Sequence, residues 1–101
     1  MNIMKNILLV CSAGMSTSIL VKKMEDAAAL KGIDVHVEAK AMAEAQSVLN
    51  DWDVILLGPQ VKFMEGNIKS MTTKPVSVIP SNIYALGKGP EALDLALKML
   101  G

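Results

Sequence analysis

Val54-Ile55-Leu56-Leu57 is an unbroken apolar run set between stretches of helical periodicity, and it restricts the fold more than any other feature of the chain. A strand without polar alternates is covered on both faces, so helices must lie above and below it. Apolar runs and helical patterns alternate along the whole sequence, the mark of a parallel sheet with helices on its faces. Residues 5–10 read as a first strand. Leu20, Met24, Ala27 and Ala28 then recur at helical spacing, opposite Lys22, Lys23, Glu25 and Asp26. Lys31 and Gly32 close that helix with a basic last turn and a residue tolerant of left-handed backbone. Ile33, Val35 and Val37 alternate with Asp34, His36 and Glu38, as in an edge strand with one wet face. A short helix follows over residues 41–49, and Gly58-Pro59-Gln60 turns the chain out of the third strand. Val61, Met64, Ile68 and Met71 mark a further helix, residues 75–79 a fourth strand, and Pro90 opens a last helix with Leu93, Ala96, Leu97 and Leu100 on one face.

The expectation is therefore one α/β domain over residues 1–101, with four strands and four helices and neither internal repeat nor linker. Right-handed crossovers and short connections favour a doubly wound, four-stranded parallel sheet in the order 2-1-3-4, with helices on both faces. In such sheets the ligand site lies beyond the carboxyl ends of the strands, where the winding reverses. The loop that begins at Cys11 sits there.

Ten Lys are balanced by ten acidic residues and there is no Arg, so net charge gives no footprint for nucleic acid or acidic lipid. An anion must be held mainly by other means. The apolar runs at 7–11 and 54–57 are too short to cross a bilayer, and the first residues lack a signal-peptide pattern. A cytoplasmic monomer without direct membrane insertion is expected. A single Cys allows neither an internal disulfide nor a multi-thiolate zinc site, and nothing in the sequence calls for a metal or cofactor. Cys11 is then either inert packing or a working thiol.

Three properties of the segment Cys11, Ser12, Ala13, Gly14, Met15, Ser16, Thr17 and Ser18 would make the thiol phosphorylatable. The segment leaves a strand and opens a helix, so unpaired backbone N–H groups and the positive end of a helix dipole converge on the loop. Ala13 and Gly14 let the backbone wrap closely around a phosphoryl group, while Ser12, Ser16, Thr17 and Ser18 offer hydroxyl donors. The same field favours thiolate, the form that attacks phosphorus. Against this, a lone Cys at the end of a strand is most often a small hydrophobe, and Ser16 or Thr17 could serve simply as a helix N-cap.

The run Leu9-Val10-Cys11-Ser12-Ala13-Gly14-Met15-Ser16-Thr17-Ser18, with Leu56-Leu57-Gly58-Pro59-Gln60 some forty residues on, closely resembles the IIB proteins of the lactose/cellobiose class of the sugar phosphotransferase system, nearest to cellobiose and chitobiose members. The resemblance covers essentially the whole chain. It implies that a phosphohistidine on a IIA partner phosphorylates Cys11, and that the group passes to a sugar imported by the membrane-embedded IIC permease. Ser12 to Ser18 would match the phosphate-binding loop, and Gly58 to Gln60 a supporting loop. A β-linked disaccharide such as cellobiose or chitobiose is implied as the sugar, and a shallow thiol pocket, because two partners must reach it.

The closest rival is a low-molecular-weight tyrosine phosphatase, whose topology this family resembles and which also starts a phosphate loop with Cys. Its signature places Arg six residues after the Cys, where this chain has Thr17, and no Asp precedes any of the four prolines to serve as general acid. Gly87-Lys88-Gly89-Pro90-Glu91-Ala92 matches a dinucleotide-loop pattern but lacks the strand-helix-strand context, and reads as a turn and a helix start. His36 is expected to be solvated, and most Met, including Met24, Met64 and Met71, to pack in the core. Met15 is the methionine expected to face a partner; Tyr84, in the loop after the fourth strand, either borders the site or caps the core.

Overall fold

The computed structural model describes residues 4–11 and 18–100. Strands β1 (Lys5–Cys11), β2 (Val35–Ala41), β3 (Val54–Leu57) and β4 (Val76–Val78) form one parallel sheet in the order β2-β1-β3-β4, as short right-handed crossovers require. Helices α1 (Ser18–Leu30), α2 (Met42–Ala45), α3 (Glu65–Met71), α4 (Ser81–Ala85) and α5 (Gly89–Leu100) are joined by 3-10 turns at Leu49–Asp51 and Pro59–Met64.

The alternation of the central strands sorts the core into two halves. Ile7, Leu9, Val54 and Leu56 face Leu20 and Met24 of α1 and Ala92, Leu93 and Ala96 of α5. Leu8, Val10, Ile55 and Leu57 point the other way, toward Ala45, Leu49, Trp52, Val61 and Ile68. Each buried Leu or Ile contributes roughly 1.5–3 kcal/mol, so β1 and β3 are held by both layers at once. α1 ends as expected: Gly32 takes φ +68° and the Ile33 N–H reaches back to the Ala28 carbonyl at 2.9 Å. Beyond it, α5 lies so close to α1 that a Cβ on Gly89 would fall 2.5 Å from Lys23 Cβ and against the Lys23 backbone.

The shorter elements depart from the sequence expectation. The helix expected over 41–49 stops at Ala45, and the Ser47 hydroxyl donates to the Glu44 carbonyl instead of the helix continuing. The helix expected from Val61 starts at Glu65; Val61 itself has φ −116°, and the preceding turn is 3-10. Met71 is 45% exposed and is not a core residue, because α3 ends there. Tyr84 sits on a fifth helix, α4, where a loop is expected. His36 is exposed, as expected, and its ring in addition stacks on Trp52 at 5.8 Å between centroids and 13° between planes, with Nε2 3.4 Å from Glu38.

Two substitutions test this packing by urea unfolding followed through the fluorescence of Trp52, the one tryptophan. Gly89→Ala must push α5 off α1 and lower stability by about 1–3 kcal/mol. His36→Ala removes one aromatic contact and should cost about 0.5–1.5 kcal/mol. A midpoint equal to wild type in either case refutes the corresponding contact.

Candidate active site

Cys11 is the last residue of β1, paired in register with Ala41 of β2 on one side, while Val10 pairs with Leu57 of β3 on the other. Sheet order makes this the reversal point: β1 lies between β2 and β3, so the chain winds one way from β1 to β2 and the other way from β2 on to β3 and β4. Ser18, exposed, is the first residue of the thirteen-residue α1. Ser12, Ala13, Gly14, Met15, Ser16 and Thr17 lie outside the described residues.

Cys11 is 0% exposed, so its thiol is covered; the loop residues that would line the shallow pocket expected there lie outside the described residues. The cause is Cys11's place as the last residue of a central strand whose two faces are both covered. Its Sγ lies 3.9 Å from the Lys40 carbonyl oxygen, a weak contact in which only a protonated thiol can donate.

The loop after β3 comes to the same place. The Gly58 N–H donates to the Val10 carbonyl at 2.8 Å, which extends the sheet by one rung and sets residues 58–60 beside the end of β1. At Gly58 a side chain would meet the Gln60 amide oxygen, the Val10 carbonyl and the Tyr84 ring, the last two at 3.4 Å, so these four residues converge on one point. Gln60 Nε2 donates to the Tyr84 hydroxyl at 2.8 Å, joining the loop after β3 to the helix after β4. That pairing was only half visible in the sequence: Gln60 belongs to a recognised turn, whereas five residues of α4 are too few for a period to show. Pro80 followed by Ser81 is the one helix-start signal that could have found it.

Among the described residues no group of three His, Cys, Asp or Glu could hold a metal ion. No helix there is long and apolar enough to cross a membrane. A cleft of about 640 Å³, bordered by Asn50, Lys69, Thr72 and Lys74, lies at the amino end of β4 and so at the opposite end of the sheet from Cys11.

Residues 6–94 match the family model described as the phosphotransferase-system lactose/cellobiose-specific IIB subunit. The galactose-specific EIIB component of Lactococcus lactis subsp. cremoris is 39% identical over 104 residues, covering 95% of this chain and 96% of that protein. The cellobiose-specific EIIB component of Lactococcus lactis subsp. lactis is 39% identical with the same coverage. In three dimensions the chain resembles the lactose-specific IIB component domain from Streptococcus pneumoniae with a TM-score of 0.88, at 19% identity, over 98% of this chain and 100% of that one.

The burial of Cys11 predicts that Ellman's reagent reacts with the native protein more slowly than with the chain unfolded in denaturant. Equal rates at the same pH would contradict a covered thiol.

Proposed function

The chain belongs to the lactose/cellobiose-specific IIB family of the sugar phosphotransferase system, and from that premise we propose that Cys11 is the atom-level carrier of its phosphotransferase activity. The observation that carries this reading is position: the one thiol in the sequence stands at the carboxyl end of the central strand, at the sheet's reversal point. The donor in this reading is a IIA protein bearing a phosphohistidine, the acceptor is a sugar presented by a membrane-embedded IIC permease, and the chain works in the cytoplasm. In the first transfer the P–N bond breaks with its electron pair returning to the imidazole, and an S–P bond forms at Cys11. In the second the S–P bond breaks toward sulfur, and a sugar hydroxyl gains the phosphoryl group and loses its proton.

Neither transfer needs more than in-line positioning and stabilisation of the phosphoryl oxygens. Ser12 to Ser18 supply hydroxyls and backbone N–H groups for that purpose, and the absence of Arg leaves the group bound without the clamp that hydrolytic relatives of this topology use. Gly58, Gln60 and Tyr84 stand beside the end of β1. The sugar is proposed only by class, a β-linked disaccharide such as cellobiose or chitobiose. Two relatives equally similar to this chain are named for different sugars, so overall likeness does not select one.

Incubation with phosphoenolpyruvate, the general phosphocarriers and a IIA protein should add one phosphoryl group, seen by intact mass spectrometry and lost in Cys11→Ser. An adduct that survives that substitution would move the site elsewhere. Tyr84→Phe, which removes one hydrogen-bond partner of Gln60, should slow adduct formation on the order of two- to tenfold, the worth of one hydrogen bond. An undiminished rate would take Tyr84 out of the site.

A further inference from the structure

Among the described residues β2 has a single neighbour, β1, so one side of the strand is open. The Lys5 N–H donates to the Asp34 carbonyl at 3.1 Å, and successive residues of a strand turn their backbone groups to opposite sides. Asp34, His36, Glu38 and Lys40 therefore bond toward β1, while the N–H and C=O groups of Val35, Val37 and Ala39 point to the open side. Side chains alternate between the two faces. Val35, Val37 and Ala39 pack with the α1 layer, whereas His36 stacks on Trp52 in the opposite layer. On the α1 face, a groove of about 330 Å³ lined by Ser18, Val21, Val37, Glu38 and Ala39 runs beside the open side.

An open strand is a template for another strand, and charges along it ordinarily keep other chains away. Here the order of the charges admits one partner, the same strand reversed. Two antiparallel copies of β2 can bond only if their two-fold axis passes beside a residue whose backbone faces outward, which leaves Val35, Val37 and Ala39. An axis at Val37 pairs that residue with its own copy and sets Val35 against Ala39 of the second copy. On the Trp52 face the same axis sets Asp34 against Lys40 of the second copy, and His36 against Glu38 of the second copy. Every polar pair then joins a donor to a carboxylate. His36 and Glu38 are already 3.4 Å apart within one chain, so each imidazole would stand between its own carboxylate and that of the second copy. An axis at Ala39 would instead set His36 against Met42 and Asp34 against Glu44, and one at Val35 would carry Glu38 and Lys40 beyond the partner strand.

We propose that the open side of β2 is a self-association surface, on which two copies of this chain pair antiparallel about Val37 and join their sheets into one. The added strand lays its own Val35, Val37 and Ala39 along the groove beside α1, so apolar contact and backbone bonds supply affinity while the charge order supplies register. This departs from the monomer expected from the sequence, and it stands apart from the phosphotransfer reading. β2 runs parallel to β1, so the pairing points the two Cys11 ends in opposite directions and holds both clear of the axis.

Sedimentation velocity of the full chain from about 1 μM to about 1 mM should show the mean mass climbing from monomer toward dimer. Amide hydrogen exchange at the two ends of that range should slow with concentration at Val35, Val37 and Ala39, and change far less at His36 and Glu38, whose N–H groups already bond β1. Glu38→Lys sets an ammonium against His36 of the second copy, and His36→Glu sets carboxylate against carboxylate. Each change acts twice across the axis and should raise the dissociation constant about tenfold. Mixed together, the two variants regain opposite charges at every pair and should form a heterodimer near wild-type strength, which neither forms with itself. Should a variant not fold, exchange in the wild-type chain decides. The proposal is overturned if the chain stays monomeric throughout the range, if a dimer forms without slowing exchange at Val35, Val37 and Ala39, or if the mixture associates no better than the variants do separately.

Discussion

Everything in this structure depends on burying β1 and β3 on both faces. Ile7, Leu8, Leu9 and Val10 alternate between two separate core layers, and so do Val54 to Leu57. Neither strand can tolerate water on either side, so α1 and α5 must cover one face and α2, α3 and the 3-10 turns the other. Covering both faces of a parallel sheet forces the connections to leave in opposite directions somewhere, and the order β2-β1-β3-β4 puts that divergence at the carboxyl ends of β1 and β3. Cys11 is where the apolar run ends and the divergence begins. The same physics that hides Val10 therefore delivers the next residue to the reversal point of the sheet.

Close approach of backbone finishes what the core begins. Gly58 can bond the Val10 carbonyl and let Gln60 fold over it because it has no side chain. Gly89 lets α5 sit against the backbone of α1 at Lys23, so the far end of the chain fixes the orientation of α1. The Lys31–Asp94 bridge between the same two helices is exposed on both sides and adds little beside that contact.

What the sequence revealed follows from how far each signal extends. α1 announces itself because Leu20, Met24, Ala27 and Ala28 span more than two turns, and those are the four residues the structure buries. The strand order was accessible because the alternation of runs and helices leaves few topologies. Four-residue α2 and five-residue α4 are shorter than two full periods, so no pattern could separate them from loops. The stacking of His36 on Trp52 and the bond of Gln60 to Tyr84 join residues distant in sequence, and no local rule reports them. In the candidate site, local composition is what singles out Cys11 to Ser18 in the sequence, and only Cys11 and Ser18 of that segment are among the described residues; the meeting of Gly58, Gln60 and Tyr84 had no such signal, since it exists only once β3 and β4 have paired.

The covered thiol sharpens what a carrier must do. A thiolate open to water is exposed to oxidation and its phosphoryl adduct to hydrolysis, and Cys11 is fully buried, with its Sγ 3.9 Å from the Lys40 carbonyl oxygen. Displacement at phosphorus nonetheless demands contact between sulfur and phosphorus at about 3 Å. No phosphorus atom can come that close to a residue with no exposed surface, so any transfer through Cys11 has to begin by uncovering it.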